Sequence, residues 1–342
     1  MTDAERSGET ATETATGPDA VAFDYDVAIV GGGPTGCSAG VFTGRYGLDT
    51  VVFDRGRSSL QRCAYLENYL GFPGGIDIET FYELIHDHVE KAGCDLVPEL
   101  VEAVEPAGGN ETETAGDAGP GFEVTTQDGE TVSARRVVAA ARYGGDFLEP
   151  LGDDEMFVTY EYDGETRTKF DRDYADVEGR TPIDGLYVAA PVSEVNVQAI
   201  MSAGQGARVG RSVITDHRLE RGYPEDLARH WDWIRPEAEL ADEETARDDW
   251  RERFDSRVPD DCDLSEERLR ELREADVERQ REMYVSEETV ETRAERGHER
   301  LADHLGVDAD SAPGSDSDSG SDSDSGSDSD SGSDSDSGSD SE

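Results

Sequence analysis

The stretch from residue 25 to residue 55 constrains the fold of this chain more than any other feature. It opens with Tyr25–Val30, a mostly apolar run with β-branched residues, which predicts a short buried strand. Gly31, Gly33 and Gly36 follow at GxGxxG spacing. The first glycine permits a tight turn, the second lets a pyrophosphate approach the backbone, and the third lets helix and strand pack closely. The pattern therefore predicts a dinucleotide site at the N-terminus of a helix.

Residues around these glycines support the same interpretation. Pro34 suits the first helical turn, which can spare its N–H group. Gly36, Gly40 and Gly44 recur every fourth residue, and each costs about 1 kcal/mol of helix propensity against alanine, so they predict a helix face packed closely on the sheet. Asp54 ends the next predicted strand, where a carboxylate can accept hydrogen bonds from a ribose. A glycine-rich loop that binds no ligand is the less favoured alternative.

The charge balance of the 342-residue chain limits the partners it can take. Its formal net charge is −50, from 81 acidic and 31 basic residues. Because contacts to nucleic-acid phosphates need a basic surface, this balance excludes a general nucleic-acid binder. The acidic residues are spread through segments with strand and helix patterns. We interpret them as a halophilic adaptation to a salt-rich cytoplasm, where salt screens their mutual repulsion.

The cysteines and the apolar runs indicate in which cellular compartment the protein is expected. Cys37, Cys63, Cys94 and Cys262 lie far apart, with no CxxC motif and no Cys/His cluster at zinc spacing. The polar, acidic N-terminus predicts neither a signal peptide nor a membrane anchor, and no apolar run approaches the ~20 residues of a spanning helix. We therefore expect a cytoplasmic protein without disulfides, metal or membrane partner.

Four segments are predicted along the chain. Residues 1–21 are polar without periodicity and predict a disordered leader. Residues 22–222 carry the strand and helix patterns of one α/β domain. Residues 223–310 are charged helix formers with few apolar anchors, which predict a helical appendage packed on that domain or on the second subunit of a homodimer. Residues 311–342 repeat Ser, Asp and Gly and predict a disordered acidic tail.

Within the α/β domain, the patterns predict a parallel sheet, flanking helices and a small hairpin layer. A helix capped by Asp77 is expected to end at Gly93, and its His86 and His88 lie on different faces, which argues against a shared metal. The other predicted elements are strands at Thr50–Phe53, within Cys94–Val104 with a break at Pro98, and at Arg136–Ala141 and Gly185–Ala190, hairpins at 122–134 and 157–170, and a helix at about 196–221.

Three separated blocks carry a family resemblance. They are Gly31–Gly36, the Glu-Asn-Tyr loop at Glu67–Gly74, and Gln198–Gly206. In this order they resemble the flavin domain of the thioredoxin reductases, within the pyridine nucleotide-disulfide oxidoreductase superfamily, over about residues 24–215. The resemblance implies a Rossmann-like FAD-binding domain and an oxidoreductase that passes electrons through FAD to an unknown acceptor.

The resemblance also implies roles for individual residues. The pyrophosphate of FAD would be held by the glycine fingerprint, and the adenosine ribose by the acid after the second strand. Asn68 would hydrogen-bond the cofactor, and Gln198 and Ala199 would lie beside the carbonyl edge of the flavin ring. The implied cofactor-binding residues are Gly31, Gly33, Pro34, Thr35, Gly36, Asp54, Arg55, Asn68, Gln198 and Ala199.

Cys63 is the one candidate for a catalytic side chain. It lies five residues before Asn68, in a loop expected to pass the flavin, where a thiolate could donate charge to the ring or form a mixed disulfide. The favoured alternative is a small buried hydrophobe, the usual state of a lone intracellular cysteine.

Three departures from the family pattern concern its redox chemistry. Only about 40 residues separate Ala141 from Gly185, where the family carries an NADPH domain of several strand–helix units of ~30 residues each. The redox-active CxxC of that domain is absent from this chain. Ala190-Pro191 replaces a Gly-Asp pair whose aspartate holds the ribityl chain of FAD, and proline offers neither a carboxylate nor an N–H.

These departures leave other functions open. The electron donor or acceptor would be a separate redox protein or a nicotinamide nucleotide that docks without its own domain. A second hypothesis is a non-catalytic binding or scaffold protein that kept the fold and lost the chemistry. A third is an NAD(P)-binding module, for which Arg55 beside Asp54 is the only indication of a 2′-phosphate site.

Overall fold

The computed structural model describes residues 23–56, 58–108, 121–141, 145–171, 173–189 and 198–307. The predicted leader, the predicted tail and the Ala190-Pro191 pair lie outside these ranges. The strands are β1 Tyr25–Val30, β2 Thr50–Phe53, β3 Asp95–Val97, β4 Val101–Pro106, β5 Phe122–Thr126, β6 Thr131–Ala139, β7 Phe157–Tyr162, β8 Glu165–Phe170, β9 Leu186–Val188, β10 Arg235–Pro236 and β11 Tyr284–Val285. The helices are α1 Pro34–Tyr46, α2 Ile78–Lys91, α3 Ala199–Glu220, α4 Glu225–Ala228, α5 Glu243–Asp255, α6 Glu266–Glu282 and α7 Glu287–Leu305.

A seven-stranded mixed sheet forms the centre of the α/β domain. Its strands run β3-β2-β1-β6-β5-β4, with β9 also paired to β6. The pairs among β3, β2, β1, β6 and β9 are parallel, and β4 and β5 add an antiparallel edge. Apolar clusters cover both faces of this sheet, as a parallel sheet requires. The predicted fold class is thereby confirmed.

β6 corrects one expectation from the sequence. We predicted a hairpin strand ending at Ala134 and a separate buried strand at Arg136–Ala141, but the structure has one continuous strand, Thr131–Ala139. Its first half pairs antiparallel with β5, and its second half pairs parallel with β1 and β9. The apparent break in the sequence marks a change from partial burial to burial on both faces, without a turn.

The second hairpin, β7–β8, has the bounds predicted from the sequence. Its six-residue strands pair antiparallel from Phe157↔Phe170 to Tyr162↔Glu165. Asp163 and Gly164 at the tip have φ values of 54° and 78°. Positive φ at both central residues is the geometry that a two-residue turn needs to match the twist of its strands.

Glycines let α1 lie unusually close to the sheet. A Cβ atom on Gly36 would overlap the carbonyl oxygen of Gly31, and one on Gly40 would lie 3.1 Å from Val52 Cγ2. A Cβ atom on Gly44 would lie 2.7 Å from the carbonyl oxygen of Ala92, just after α2. The predicted close-packed glycine face is therefore present, and it also contacts the end of the neighbouring helix.

Glycines of α3 make the same close contact on the other side of α1. A Cβ atom on Gly206 would overlap the carbonyl oxygen of Thr35, and one on Gly210 would lie 2.9 Å from that of Ala39. These glycines lie inside α3, where they serve helix packing, and they do not form a second nucleotide loop. α1 is thus packed against the sheet on one side and against α3 on another, and α3 itself also packs on the sheet.

The C-terminal helices contact the α/β domain through charged side chains. Arg218, only 2% exposed at the end of α3, donates to Asp276 of α6 at 2.7 Å and to the Leu227 carbonyl oxygen at 2.9 Å. Arg300 of α7 pairs with Asp87 of α2. These contacts support an appendage packed on its own α/β domain. Within the described ranges, no helix is both long and apolar enough to cross a bilayer.

Two glycines of α3 provide a matched test of this packing. Gly206→Ala should lower the free energy of unfolding by about 1–3 kcal/mol, because the new methyl group forces α3 away from α1. Gly204→Ala should leave it unchanged or raise it by up to about 1 kcal/mol, because nothing lies within 4 Å of a Cβ atom there. Urea unfolding at constant high salt measures both. Equal effects of the two substitutions would contradict the close contact.

Candidate functional site

A cavity of about 840 Å³ lies at the carboxyl ends of the parallel strands. Its walls include the last residues of β1 and β2 and the residues that follow β6. This edge of a parallel sheet is where open α/β folds bind their ligands. Of the residues singled out in the sequence, the cavity is lined by Gly31, Gly33, Pro34, Thr35, Asp54, Arg55, Cys63, Asn68, Gln198 and Ala199. Gly36 lies behind it, in the contact between α1 and Gly31.

The loop between β1 and α1 forms one wall. Gly31 has φ +119°, and a Cβ atom there would lie 3.0 Å from the Ala140 carbonyl group, so the turn requires glycine. Gly33 caps α1, and a Cβ atom on it would meet nothing closer than Ser58 Oγ at 3.7 Å. The first turn of α1 contains no acidic residue. Its free N–H groups and the positive end of the helix dipole therefore suit an anion.

Asp54 lies against this loop and is held there by His86. A Cβ atom on Gly32 would overlap Asp54 Cβ, so loop and carboxylate are in direct contact. Asp54 Oδ1 accepts from the Gly56 N–H at 3.0 Å, and Oδ2 lies 3.2 Å from His86 Nε2. Burial raises the pKa of Asp54, but the hydrogen bonds from His86 and Gly56 outweigh it and leave the pKa below its usual range. Asp54 is an ionised acceptor at neutral pH.

His86 is the residue that sequence reasoning missed. Its separation from His88 onto another face of α2 was predicted correctly, but the face it occupies turns toward Asp54. The pairing depends on how α2 packs beside α1, and no local pattern records that. The sequence signal was limited to position: His86 lies one turn before the buried Val89, which places it toward the inner side of α2 but does not identify its partner.

At the other end of the cavity, two side chains 130 positions apart meet. Asn68 Nδ2 donates to Gln198 Oε1 at 2.7 Å. Gln198 caps α3, and because its side chain bonds Asn68, it makes no capping bond to the helix. The pair therefore joins the Glu-Asn-Tyr loop to the N-terminus of α3, and Ala199 begins that helix. The two amides and the positive helix end suit the polar edge of a ring that gains negative charge.

The environment of Cys63 differs from the one favoured by the sequence analysis. Cys63 is exposed, where a small buried hydrophobe was expected. It follows a 3₁₀ turn, Ser59–Arg62, which contains no fully buried residue. Cys63 lines the cavity, whereas Cys37 and Cys94 are buried. Burial also raises the pKa of both these thiols, to about 12 for Cys94, so they stay protonated.

The chemistry of the cavity fits a dinucleotide. It presents N–H groups and glycines at one wall, an ionised carboxylate beside them, and paired amides at the far end. Glu99, which also lines the cavity, has a buried Oε2 atom without a hydrogen-bond partner among the described residues. An unpartnered carboxylate oxygen is an acceptor for a ligand amine, such as that of adenine.

Comparison with known proteins decides which dinucleotide this is. Residues 24–65 match the family model described as an FAD binding domain. The cofactor of this domain is FAD. The matched segment contains β1, the glycine loop, α1, β2 and Asp54, all of which contribute residues to the wall of the cavity.

The chain is also similar to proteins named as thioredoxin reductases. It is 33% identical to the bifunctional thioredoxin reductase/thioredoxin of Mycobacterium leprae over 147 residues, 41% of this chain and 29% of that protein. It is 32% identical to the thioredoxin reductase of Mycolicibacterium smegmatis over 127 residues, 35% of this chain and 37% of that protein. The FAD domain is therefore thioredoxin reductase-like, and the chain spans well under half the length of these relatives.

Solved structures show a more distant similarity. A thioredoxin reductase from Gloeobacter violaceus matches 62% of this chain and 98% of its own, with 15% identity and a TM-score of 0.44. An atypical thioredoxin reductase from Desulfovibrio vulgaris Hildenborough matches 57% of this chain and 98% of its own, with 18% identity and a TM-score of 0.41. Neither superposition bears on the site.

A substitution at Gly33 is expected to change FAD affinity without changing the stability of the FAD-free protein. Gly33→Ala should leave the stability of the FAD-free protein within about 0.5 kcal/mol of wild type, because its Cβ atom has room and its φ of −81° suits alanine. The glycine fingerprint predicts the pyrophosphate beside Gly33, where the same methyl group would take up space, so FAD affinity should fall by about 5- to 150-fold, equivalent to about 1–3 kcal/mol of overpacking. Fluorescence titration with FAD and urea unfolding without it measure the two effects. Unchanged FAD affinity would contradict this position for the pyrophosphate.

Proposed function

We propose that this chain is an FAD-dependent oxidoreductase of the thioredoxin reductase-like type, which passes electrons between its flavin and a separate partner. One observation carries the proposal: a single cavity is lined by the glycine loop, by Asp54 and by the Asn68–Gln198 pair. The glycine loop suits the pyrophosphate of one cofactor, Asp54 suits its adenosine ribose, and the Asn68–Gln198 pair suits its flavin ring. The similarity to curated thioredoxin reductases supports the same reaction class.

Each part of the chain has a defined task in this proposal. The backbone of Gly31 and Gly33 and the N-terminus of α1, with Pro34 and Thr35, bind the pyrophosphate. Asp54 accepts hydrogen bonds from the ribose, and Arg55 supplies positive charge beside it. Asn68, Gln198 and the α3 terminus at Ala199 orient the polar edge of the flavin. FAD, when bound, supplies the redox chemistry, and the protein positions it.

We propose a separate electron partner because of what the chain contains between β6 and β9. The resemblance places a nicotinamide-binding domain in this connection. Here its described residues form 3₁₀ turns and the β7–β8 hairpin. Among the described residues close in sequence to Asn68 and Gln198, four apolar or aromatic side chains are exposed and offer a surface to a partner. They are Tyr65 (49%), Leu70 (88%), Ile200 (38%) and Met201 (53%).

A non-catalytic FAD-binding or scaffold protein is the second candidate. Ala190-Pro191, in place of the family's Gly-Asp pair, favours it, because the ribityl chain loses one carboxylate partner. The absence of CxxC from this chain points the same way. The two candidates differ in whether the bound flavin can exchange electrons with another molecule.

Purified at high salt, the protein should be yellow or take up added FAD. At FAD concentrations 100 times the Kd, the free energy of unfolding should rise by about 2.7 kcal/mol. The visible spectrum and thermal unfolding with and without FAD measure this, with FMN as a control that lacks the adenosine half. A colourless protein that saturating FAD does not stabilise would exclude the proposal.

Rapid mixing with NADPH under anaerobic conditions tests the separate partner. The flavin absorbance of the FAD-loaded protein should stay largely unbleached for seconds, whereas an enzyme using NADPH directly turns over at about 10 per second. Dithionite should bleach it, and an added quinone should restore the absorbance, which shows that the flavin is redox-competent. Fast bleaching by NADPH would contradict the separate partner, and a flavin that dithionite cannot reduce would favour the scaffold function.

A further inference from the structure

α2 contributes one side chain that touches both walls of the phosphate and ribose site. The ring nitrogen Nε2 of His86 lies 2.9 Å from the Gly32 carbonyl oxygen and 3.2 Å from Asp54 Oδ2. Gly32 belongs to the phosphate loop, and Asp54 is the ribose acceptor. A single N–H of His86 therefore bridges the loop proposed to bind the pyrophosphate and the carboxylate proposed to bind the ribose.

The rest of α2 fixes this imidazole in place. Asp77 caps the helix by accepting from the Thr80 N–H, and Phe81 and Val89 are buried on its inner side. Tyr82, one turn before His86, packs its ring edge-on against the imidazole with the centroids 5.6 Å apart. The His86 side chain is itself only 24% exposed. It has little freedom to leave Asp54.

The charge of this pair matters because the ligand is an anion. The Asp54 carboxylate is in contact with the loop that must receive the pyrophosphate. Unpaired, this carboxylate repels the phosphates across a short, partly desolvated gap. A protonated His86 cancels that charge, and because each carboxylate oxygen has two lone pairs, Asp54 can still accept a hydrogen bond from the ribose.

We propose that His86 is the positioning residue of the FAD site: it holds Asp54 against the phosphate loop, and in its protonated form it makes the site bind FAD more tightly. This inference rests on the proposed binding of FAD, and it gives α2 a role in that binding. FAD affinity should consequently decrease as the pH rises and His86 loses its proton.

The ionisable groups around His86 support this direction. Asp54 after β2 and Glu90 of α2 favour its charged form. Arg55 lowers the pKa of Asp54, and Cys37 of α1 donates to the same Gly32 oxygen at 3.2 Å. The hydrogen bond to Asp54 outweighs burial and raises the pKa of His86 above its ordinary 6.5. Burial raises the pKa of Tyr82 to about 12, and it also raises that of Cys37, so both stay neutral.

The sign of the pH effect follows from the raised pKa of His86. The protonated contact is fully present below pH 6.5 and is lost as the pH rises through the higher pKa of the folded protein. The charge of the FAD pyrophosphate is constant over this range. We expect the Kd for FAD to rise about tenfold or more between pH 5.5 and 8.5.

The test compares three variants of the full chain with wild type by fluorescence titration with FAD at constant high salt. His86→Gln keeps an N–H donor without the titratable charge, so its Kd should vary little with pH and match wild type at pH 8.5. His86→Leu also loses the N–H donor, so it should bind FAD more weakly than wild type and His86→Gln at every pH. His88→Gln, on another face of the same helix, is the matched control and should keep the wild-type profile.

A second measurement does not depend on how the variants fold. If protonated His86 favours FAD, then by linkage FAD must raise the pKa of His86, by about one unit for a tenfold change in Kd. Proton NMR titration of the His86 ring in wild type, with and without FAD, measures this shift. An unchanged His86 pKa, or a His86→Gln variant with the wild-type pH profile, would overturn the inference while leaving FAD binding intact. Wild type that binds no FAD at any pH would overturn the proposed function and the inference together.

Discussion

The structure depends on how closely α1 approaches its neighbours. Gly36 lets the helix rest on the Gly31 carbonyl oxygen, and Gly206 lets α3 rest on that of Thr35. Any side chain at either position would push the helix out by the width of a methyl group. Because α1 is fixed from both sides, its N-terminus points into the cavity at the carboxyl ends of the strands. The phosphate site is a consequence of this packing.

α3 extends the same constraint across the molecule. Its 22 residues span about 33 Å at 1.5 Å per residue, from Ala199 at the cavity to the buried Arg218 near its far end. There Arg218 donates to Asp276 of α6 and lies over the Tyr223 ring at 3.8 Å. The appendage therefore holds the end of the helix whose start meets Asn68 through Gln198. It contributes to the site by fixing α3.

Local sequence patterns correctly predicted the structural features that are determined by residues close together in the chain. β1, β2 and the β7–β8 hairpin have their predicted bounds, because strand burial and a two-residue turn are set within a few residues. The continuity of β6 and the contact of His86 with Asp54 could not be predicted, since both depend on elements distant in sequence. The choice of Asn68 and Gln198 as site residues came from family resemblance alone, and their hydrogen bond to each other was not predicted. The expected burial of Cys63 was wrong because it rested on the general behaviour of cysteines and not on its own loop.

Amide hydrogen exchange with and without FAD tests the central claim most directly, because it reports on all walls of the cavity in one experiment. Bound FAD should slow exchange in peptides covering residues 31–37, 54–56, 64–70 and 198–203, where backbone or side-chain groups line the cavity. Exchange in α5 and the later part of α7 should not change. Protection confined to the appendage, or none anywhere at saturating FAD, would contradict a cofactor site built on the N-terminus of α1.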